Sequence, residues 1–235
     1  MKLKAAKSIT TVVPVFNEAT GIVNALTKIH EVLTDRFEDH EILIIESGST
    51  DNSLTICEQL ANTLPKMRVI SQGARSGFGS ALKLGFAEAK KDLVWVVSSD
   101  LPFPLQTLDT ALPLIEEKDC ILSYRSHDDR SPLRRVQSLA YNWLAKSLLD
   151  LDATHVNSQF KLYRRNVIQS LEIKSDGWFI DTEIIYRLQK SCYTVAEIPA
   201  PLTERTTGKS SLSFAQPLIS LTDLCLFMWI EKISR

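Results

Sequence analysis

Leu93-Val94-Trp95-Val96-Val97-Ser98-Ser99-Asp100-Leu101 is an apolar run that stops on a polar triplet ending in one carboxylate. With several β-branched residues and no polar residue before Ser98, it reads as a strand covered on both faces, as in parallel sheets. The carboxylate then stands where the strand leaves the core, at its C-terminal end. In open α/β sheets that edge is where ligands bind. A cap on the following turn also places an aspartate there, so Asp100 alone leaves both readings open.

Toward the N-terminus the chain alternates. Residues 9–15 (Ile-Thr-Thr-Val-Val-Pro-Val) read as a strand that ends at Pro14 and the polar pair Asn17-Glu18. Over 18–33, Ile22, Ala25, Leu26, Ile29 and Leu33 recur at helix spacing. A strand over 41–45, a helix over 53–64 and a strand over 67–71 follow. A glycine-bearing loop over 73–79 and a helix over 80–90 then lead into the opening run. Strands alternating with helices predict βαβ units and a mostly parallel, doubly wound α/β sheet.

Toward the C-terminus a helix is expected over 105–117, a strand over 120–124 ending at Arg125, and a helix over 134–149. A strand over 160–164, a helix over 181–190 and a strand over 194–198 complete the pattern. No linker divides the chain, so this half reads as an elaboration of the same sheet.

The 235 residues suffice for a substantial core, and a formal net charge of −1 offers no basic field for nucleic acid. The four cysteines are scattered, without a CxxC pair, which argues against a disulfide framework or zinc site and fits a reducing cytosol.

Three polar clusters close successive expected strands: Asn17-Glu18, Glu46-Ser47-Gly48-Ser49-Thr50-Asp51, and Ser98-Ser99-Asp100. On one edge they form a nucleotide or metal pocket, where acidic groups bond ribose hydroxyls or hold a divalent cation against phosphates. Ser49, Asp51 and Ser53 also suit capping of the next helix, the reading favoured for Asp51. The Gly77-Phe78-Gly79 loop permits close backbone approach to a ligand, or serves a strand-to-helix turn.

The ordered set resembles the inverting family 2 glycosyltransferases of GT-A fold. It comprises Val13-Pro14-Val15-Phe16-Asn17-Glu18, Ile45-Glu46-Ser47-Gly48-Ser49-Thr50-Asp51, Gly77-Phe78-Gly79-Ser80-Ala81 and Ser98-Ser99-Asp100-Leu101. The second half is most similar to the polyprenyl-phosphate branch, typified by dolichol-phosphate mannosyltransferase. The matching pieces are Tyr124-Arg125, Arg134 with Ser138 and Asn142, Phe160-Lys161-Leu162-Tyr163-Arg164-Arg165, Asp181-Thr182-Glu183, Glu197-Ile198-Pro199 and Arg205-Thr206-Thr207-Gly208-Lys209-Ser210.

The resemblance implies inverting transfer of a sugar from a nucleoside-diphosphate sugar to a polyprenyl-phosphate lipid. It places Pro14, Asn17, Glu18, Glu46 and Ser47 on the nucleoside side, with Gly77 and Gly79 near the donor. Ser98, Ser99 and Asp100 fall at the diphosphate and metal edge, with Asp100 as the metal ligand, Mg or Mn. Arg134 and Arg205 stabilise phosphates, while Arg125, Ser138, Lys161, Asp181 and Glu183 belong to the acceptor region. Lys209 and Ser210 lie on a loop that closes over the donor.

The sequence departs from the family where carboxylates are usual. Glu46-Ser47 stands in place of two aspartates, Ser98-Ser99-Asp100 in place of a DxD-type triplet, and Pro102 where a metal-ligating glutamine often stands. Hydroxyls are poor substitutes for carboxylates on a hard cation, so metal affinity is expected to be weak or the metal dispensable. A non-catalytic nucleotide-sugar-binding relative is the rival reading. Transfer to a saccharide hydroxyl is another, and it needs a base for which Asp181 or His155 stand as candidates.

The stretch over 212–233 is the most apolar of the chain, but Pro217 and Asp223 interrupt it. It falls short of the ~20 apolar residues of a membrane span. It reads as an amphipathic helix that meets a membrane surface through Phe227 and Trp229, or packs on the domain or a partner subunit. The expected organisation is a GT-A domain over 1–210 and this helix over 211–235. Within the domain a nucleotide-sugar half covers about 8–102 and an acceptor half about 103–210. The expected location is cytoplasmic, peripheral on the cytoplasmic face of a membrane, and a homo-oligomer is compatible with the sequence.

Overall fold

A computed structural model of the chain describes residues 7–126, 132–201 and 216–233. The first half runs β1 (Ile9–Val15), α1 (Ile22–Arg36), β2 (His40–Glu46), α2 (Ser53–Thr63), β3 (Met67–Ser71), α3 (Phe78–Glu88) and β4 (Leu93–Val96). The second half runs α4 (Thr107–Leu114), β5 (Cys120–Arg125), α5 (Pro132–Leu149), β6 (Lys161–Arg164) and α6 (Arg165–Ser170). It ends with α7 (Ile180–Lys190), β7 (Val195–Ala200) and α8 (Gln216–Ile233).

Both halves build one seven-stranded sheet in the order β3-β2-β1-β4-β6-β5-β7. Among the described strands β6 runs antiparallel to its neighbours β4 and β5, and the other pairings are parallel. The opening run forms β4 near the middle, and all four of its residues are buried. Alternation sorts its side chains. Val94 and Val96 join the core beneath α3 and α7, while Trp95 and Val97 join the core beneath α1 and α4. Trp95 is fully buried there beside Phe103 and Phe160, with ring centroids 6.3 and 5.9 Å away. Pro14 lies beyond the part of β1 that pairs with β4, where its missing N–H disturbs little.

Three local differences from the sequence reading have physical causes. α3 starts at Phe78, so Gly79 sits inside the helix instead of in the loop before it. α6 was not expected, because six residues are too few to display a helical period. β7 extends through Pro199 to Ala200, because β5 is its described neighbour and leaves it an edge strand on which a proline is tolerated. At the C-terminal end α8 packs against α5. Leu224 and Phe227 are buried, while Ile219, Leu226 and Trp229 are exposed. Among the described residues no helix is long and apolar enough to cross a membrane.

Candidate functional site

The C-terminal ends of β1, β2 and β3 are laced together by their own polar residues. Glu46 closes β2 and is 1% exposed. One of its carboxylate oxygens accepts the Ser49 backbone N–H, and the other accepts the Ser71 hydroxyl at 2.8 Å. Burial pushes this carboxyl up, but hydrogen bonds from Ser49, Ser71 and Gly48 outweigh it and hold the group below its ordinary value. The Ser47 hydroxyl donates to Gln72 Oε1 at 2.9 Å, and Gln72 Nε2 donates to Ser80 Oγ at 3.0 Å. The loops after β2 and β3 are thereby tied to α3.

Asn17 Oδ1 accepts the Thr50 N–H at 2.8 Å, and the Asn17 N–H donates to Ser49 Oγ at 3.0 Å. The Glu18 N–H donates to Ser53 Oγ at 2.8 Å. Asp51 accepts the Ser53 N–H at 2.9 Å and the Ala19 N–H at 3.2 Å, so it secures the start of α2 and the loop after β1. Gly48 has φ +69°, and a Cβ there would stand 2.7–2.8 Å from the backbone of Ala74 and Arg75. Glycine is what lets the β2 loop meet the β3 loop.

β4 ends in a tight turn in which the Leu101 N–H donates to the Ser98 carbonyl at 3.0 Å. Leu101 itself has φ 47°, a left-handed conformation that costs a side chain about 1–2 kcal/mol. Asn17, at the end of adjacent β1, also has a positive φ of 54°. Strain of this kind gathers where a fold shapes a functional edge. Ser99 is buried, and Ser98 and Asp100 are half-buried.

A second cluster forms where β6, α7 and the start of α3 meet. Lys161 opens β6 opposite Val96 of β4. Its Nζ lies 3.1 Å from Asp181 Oδ2, with the two side chains 7% and 10% exposed. Burial pushes the Asp181 carboxyl up, and the Lys161 ammonium opposes that shift. Among the described residues, Asp181 Oδ1 has no hydrogen-bond partner. Lys161 Nζ also stands 5.6 Å from the Phe78 ring centre, and Phe78 stacks on Trp178 at 4.3 Å and 11°.

Glu183 is fully buried and accepts the Lys174 N–H at 3.0 Å, the Ser175 N–H at 2.8 Å and Arg187 Nε at 2.7 Å. It thereby fixes the turn before α7. Gly77 and Gly79 pack on that turn. A Cβ at Gly77 would lie 2.3 Å from the Asp176 carbonyl oxygen, and one at Gly79 would lie 2.7 Å from those of Ser175 and Gly177. The Ser80 N–H, an orphan donor of the first turn of α3, reaches the Asp176 carbonyl at 3.1 Å. The close approach these glycines permit is thus to the chain's own backbone.

Arg125 closes β5 and Ser138 lies on α5, both half-buried. Arg134 belongs to α5, but its side chain lies outside the described residues, as do Arg205, Lys209 and Ser210. Pro14 stays within β1. Two residues that the sequence did not single out, Gln72 and Trp178, hold central places in the two clusters. For Trp178 a signal existed: an aromatic after glycine, just before the acidic start of a helix.

The sequence pattern of Glycosyl transferase family 2 matches residues 10–172, well over half of the chain. The chain belongs to glycosyl transferase family 2. Glycosyltransferase AglD of Haloferax volcanii is 26% identical over 241 residues, spanning 98% of this chain and 38% of AglD. Undecaprenyl-phosphate 4-deoxy-4-formamido-L-arabinose transferase of Shewanella sediminis is 27% identical over 224 residues, spanning 94% of this chain and 66% of that protein. The chain therefore spans less than two thirds of either relative. Among solved structures, glucosyl-3-phosphoglycerate synthase from Mycobacterium tuberculosis, in complex with Mn2+, uridine diphosphate and phosphoglyceric acid, is similar at TM-score 0.71 and 22% identity. The likeness covers 95% of this chain and 78% of that one, and it shows that the fold is shared. This family 2 chain has the GT-A fold expected from the order of its motifs.

A divalent cation of the kind bound in that structure fits poorly here. The turn after β4 offers two hydroxyls and one carboxylate, where a hard cation prefers several carboxylates. Among the described residues no three His, Cys, Asp or Glu side chains gather closely enough to hold a metal ion.

Proposed function

We propose that this family 2 chain transfers the sugar of a nucleoside-diphosphate sugar to a polyprenyl phosphate, with inversion at the anomeric carbon. The observation that carries the reading is the similarity, over 94% of this chain, to a transferase named for an undecaprenyl-phosphate substrate, joined to the family match. The acceptor phosphate needs little activation. Its second ionisation lies near pH 6, so at neutral pH it is already an anion and no general base is required. One of its oxygens attacks the anomeric carbon while the bond to the diphosphate oxygen breaks on the opposite face. A sugar phosphodiester forms and the nucleoside diphosphate leaves with the bonding electrons.

The loops after β1–β3 hold the nucleoside side in this reading. Ser98, Ser99 and Asp100 border the diphosphate, and Arg125, Arg134 and Arg205 neutralise phosphate charge. Arginine suits that task because its planar fork binds two phosphate oxygens at once. A groove of about 430 Å³ along α5, lined by Leu139, Trp143, Lys146 and His155, supports an amphiphilic acceptor. The exposed Trp143, Trp229 and Leu226 of α5 and α8 support peripheral contact with a bilayer, where such an acceptor resides.

A second reading, binding without transfer, is favoured by one observation: hydroxyls stand where the family usually carries carboxylates, at Ser47 and Ser98. The test is release of nucleoside diphosphate from UDP- and GDP-sugars with and without undecaprenyl phosphate in detergent. Lipid-dependent release supports transfer. Binding of the donor without release supports the second reading.

A further inference from the structure

The face of α8 that packs on the domain carries a charge where apolar residues are usual. Glu231 turns toward α7, while its neighbours Trp229 and Ile230 are exposed. Its carboxylate accepts bonds from Lys190 Nζ at 3.1 Å, the Tyr186 hydroxyl at 3.3 Å and Arg187 Nη2 at 3.5 Å. One turn earlier Phe227 is buried against Phe179 and Tyr186, and the Arg187 guanidinium stands 5.7 Å from its ring centre.

Arg187 is thus held between two helices. Toward α8 it meets Glu231 and Phe227, and within α7 its Nε donates to buried Glu183 at 2.7 Å. The Arg187 side chain is only 12% exposed, and an ion pair shielded from water is screened less. By covering Arg187, α8 strengthens the bond that steadies Glu183.

From Glu183 the bonds continue without a break. Its carboxylate holds the Lys174 and Ser175 N–H groups at 3.0 and 2.8 Å. The next residue, Asp176, accepts the Ser80 N–H at 3.1 Å through its carbonyl and pairs with Lys83 at 2.7 Å through its carboxylate. Both partners lie on α3. The Ser80 hydroxyl accepts Gln72 Nε2 at 3.0 Å, and Gln72 Oε1 accepts the Ser47 hydroxyl at 2.9 Å. Ser47 belongs to the loop after β2, on the nucleoside side of the donor reading. Each link alone is a local brace, and in series they join α8 to that loop.

We propose that α8 is a strap that sets the nucleoside-side loops from behind, with Arg187 as a positioning residue and Ser80 as the joint of the relay. Seating of Glu231 and Phe227 firms the turn at 174–176. That turn firms the start of α3, and α3 holds the loops after β2 and β3 through Ser80. The proposal rests on the donor reading for what those loops bind, and it adds a distant helix that governs them. Coupling of this kind is established by non-additivity, not by proximity.

The test uses the full chain and reads two signals: exchange of backbone amides, and affinity for UDP and GDP by titration calorimetry. Glu231→Gln keeps the shape of the side chain and removes its charge. It should speed exchange at Lys174, Ser175 and Ser80 and weaken nucleotide binding, each by about fivefold, while exchange in β1 stays unchanged. Arg187→Lys should retain part of the protection that Arg187→Met loses. Ile219→Ala, on the exposed face of α8, should move neither signal. In a Ser80→Ala background, where the bond to Gln72 is cut, Glu231→Gln should bring no further loss of nucleotide affinity. Unchanged exchange at all three amides in a folded Glu231→Gln overturns the strap. A loss of affinity that multiplies in full with that of Ser80→Ala overturns it as well. A wild-type chain that binds neither UDP nor GDP brings down the donor reading alone, because the exchange signal still decides the strap.

Discussion

Glu46 at the end of β2 and Ser71 at the end of β3 share a hydrogen bond of 2.8 Å, and the Ser49 N–H fills the other oxygen of the same carboxylate. This carboxylate is a brace between loops, with two of its bonds made inside the chain. Glu46→Gln should lower unfolding free energy by about 1–3 kcal/mol at pH 7, read by urea denaturation. The sign of its pH dependence follows from the lowered carboxyl. A depressed folded pKa contributes stability that is present above the unfolded value of about 4.3 and is lost as pH falls through the folded value. The gap between wild type and Glu46→Gln should therefore shrink below about pH 4; a gap that stays constant there contradicts the brace.

Gly79→Ala should destabilise more than Gly73→Ala. The added Cβ at Gly79 meets backbone oxygens at 2.7 Å, whereas the space around Gly73 is open and only its φ of +72° is strained. Overpacking against backbone costs about 1–3 kcal/mol, and left-handed strain about 1–2 kcal/mol. Thermal unfolding of the two variants ranks them. A milder loss at Gly79 argues against close packing of α3 on the turn at 175–177.

Ser98→Asp should bind Mn2+ more tightly than the wild-type chain, because it adds a second carboxylate to the turn that carries Asp100. Calorimetric titration with Mn2+ in the presence of UDP reads this directly. Equal affinities place the turn away from the diphosphate edge.

Trp229→Ala should reduce sedimentation of the chain with phospholipid vesicles several-fold and leave its thermal stability within about 0.5 kcal/mol, since Trp229 is 63% exposed. Unchanged sedimentation shifts the exposed face of α8 from a bilayer to a protein partner.

Much of the fold was legible because it is written in local patterns. The five apolar positions of α1 picked out by spacing, Ile22, Ala25, Leu26, Ile29 and Leu33, are the five that the helix buries. The run at Leu93 forms a buried strand because no polar residue interrupts it. Asp51 bonds the Ser53 N–H at the start of α2 from just outside the helix, while the cap position itself falls to Asn52. The rest depends on register and distant contacts. Nothing near Glu46 in the sequence announces Ser71, and Gly79 owes its constraint to a turn almost a hundred residues away. The Lys161–Asp181 pair appears only when β6 and α7 are brought together by the sheet.

The central claim is transfer to a lipid phosphate, and the product tests it most directly. Undecaprenyl phosphate, a panel of UDP- and GDP-sugars and the chain in detergent should yield a polyprenyl-phosphate sugar, identified by mass spectrometry, with its anomeric linkage inverted by NMR. A retained linkage, a sugar joined to a hydroxyl, or no lipid-linked sugar from any donor at full folding would contradict the account.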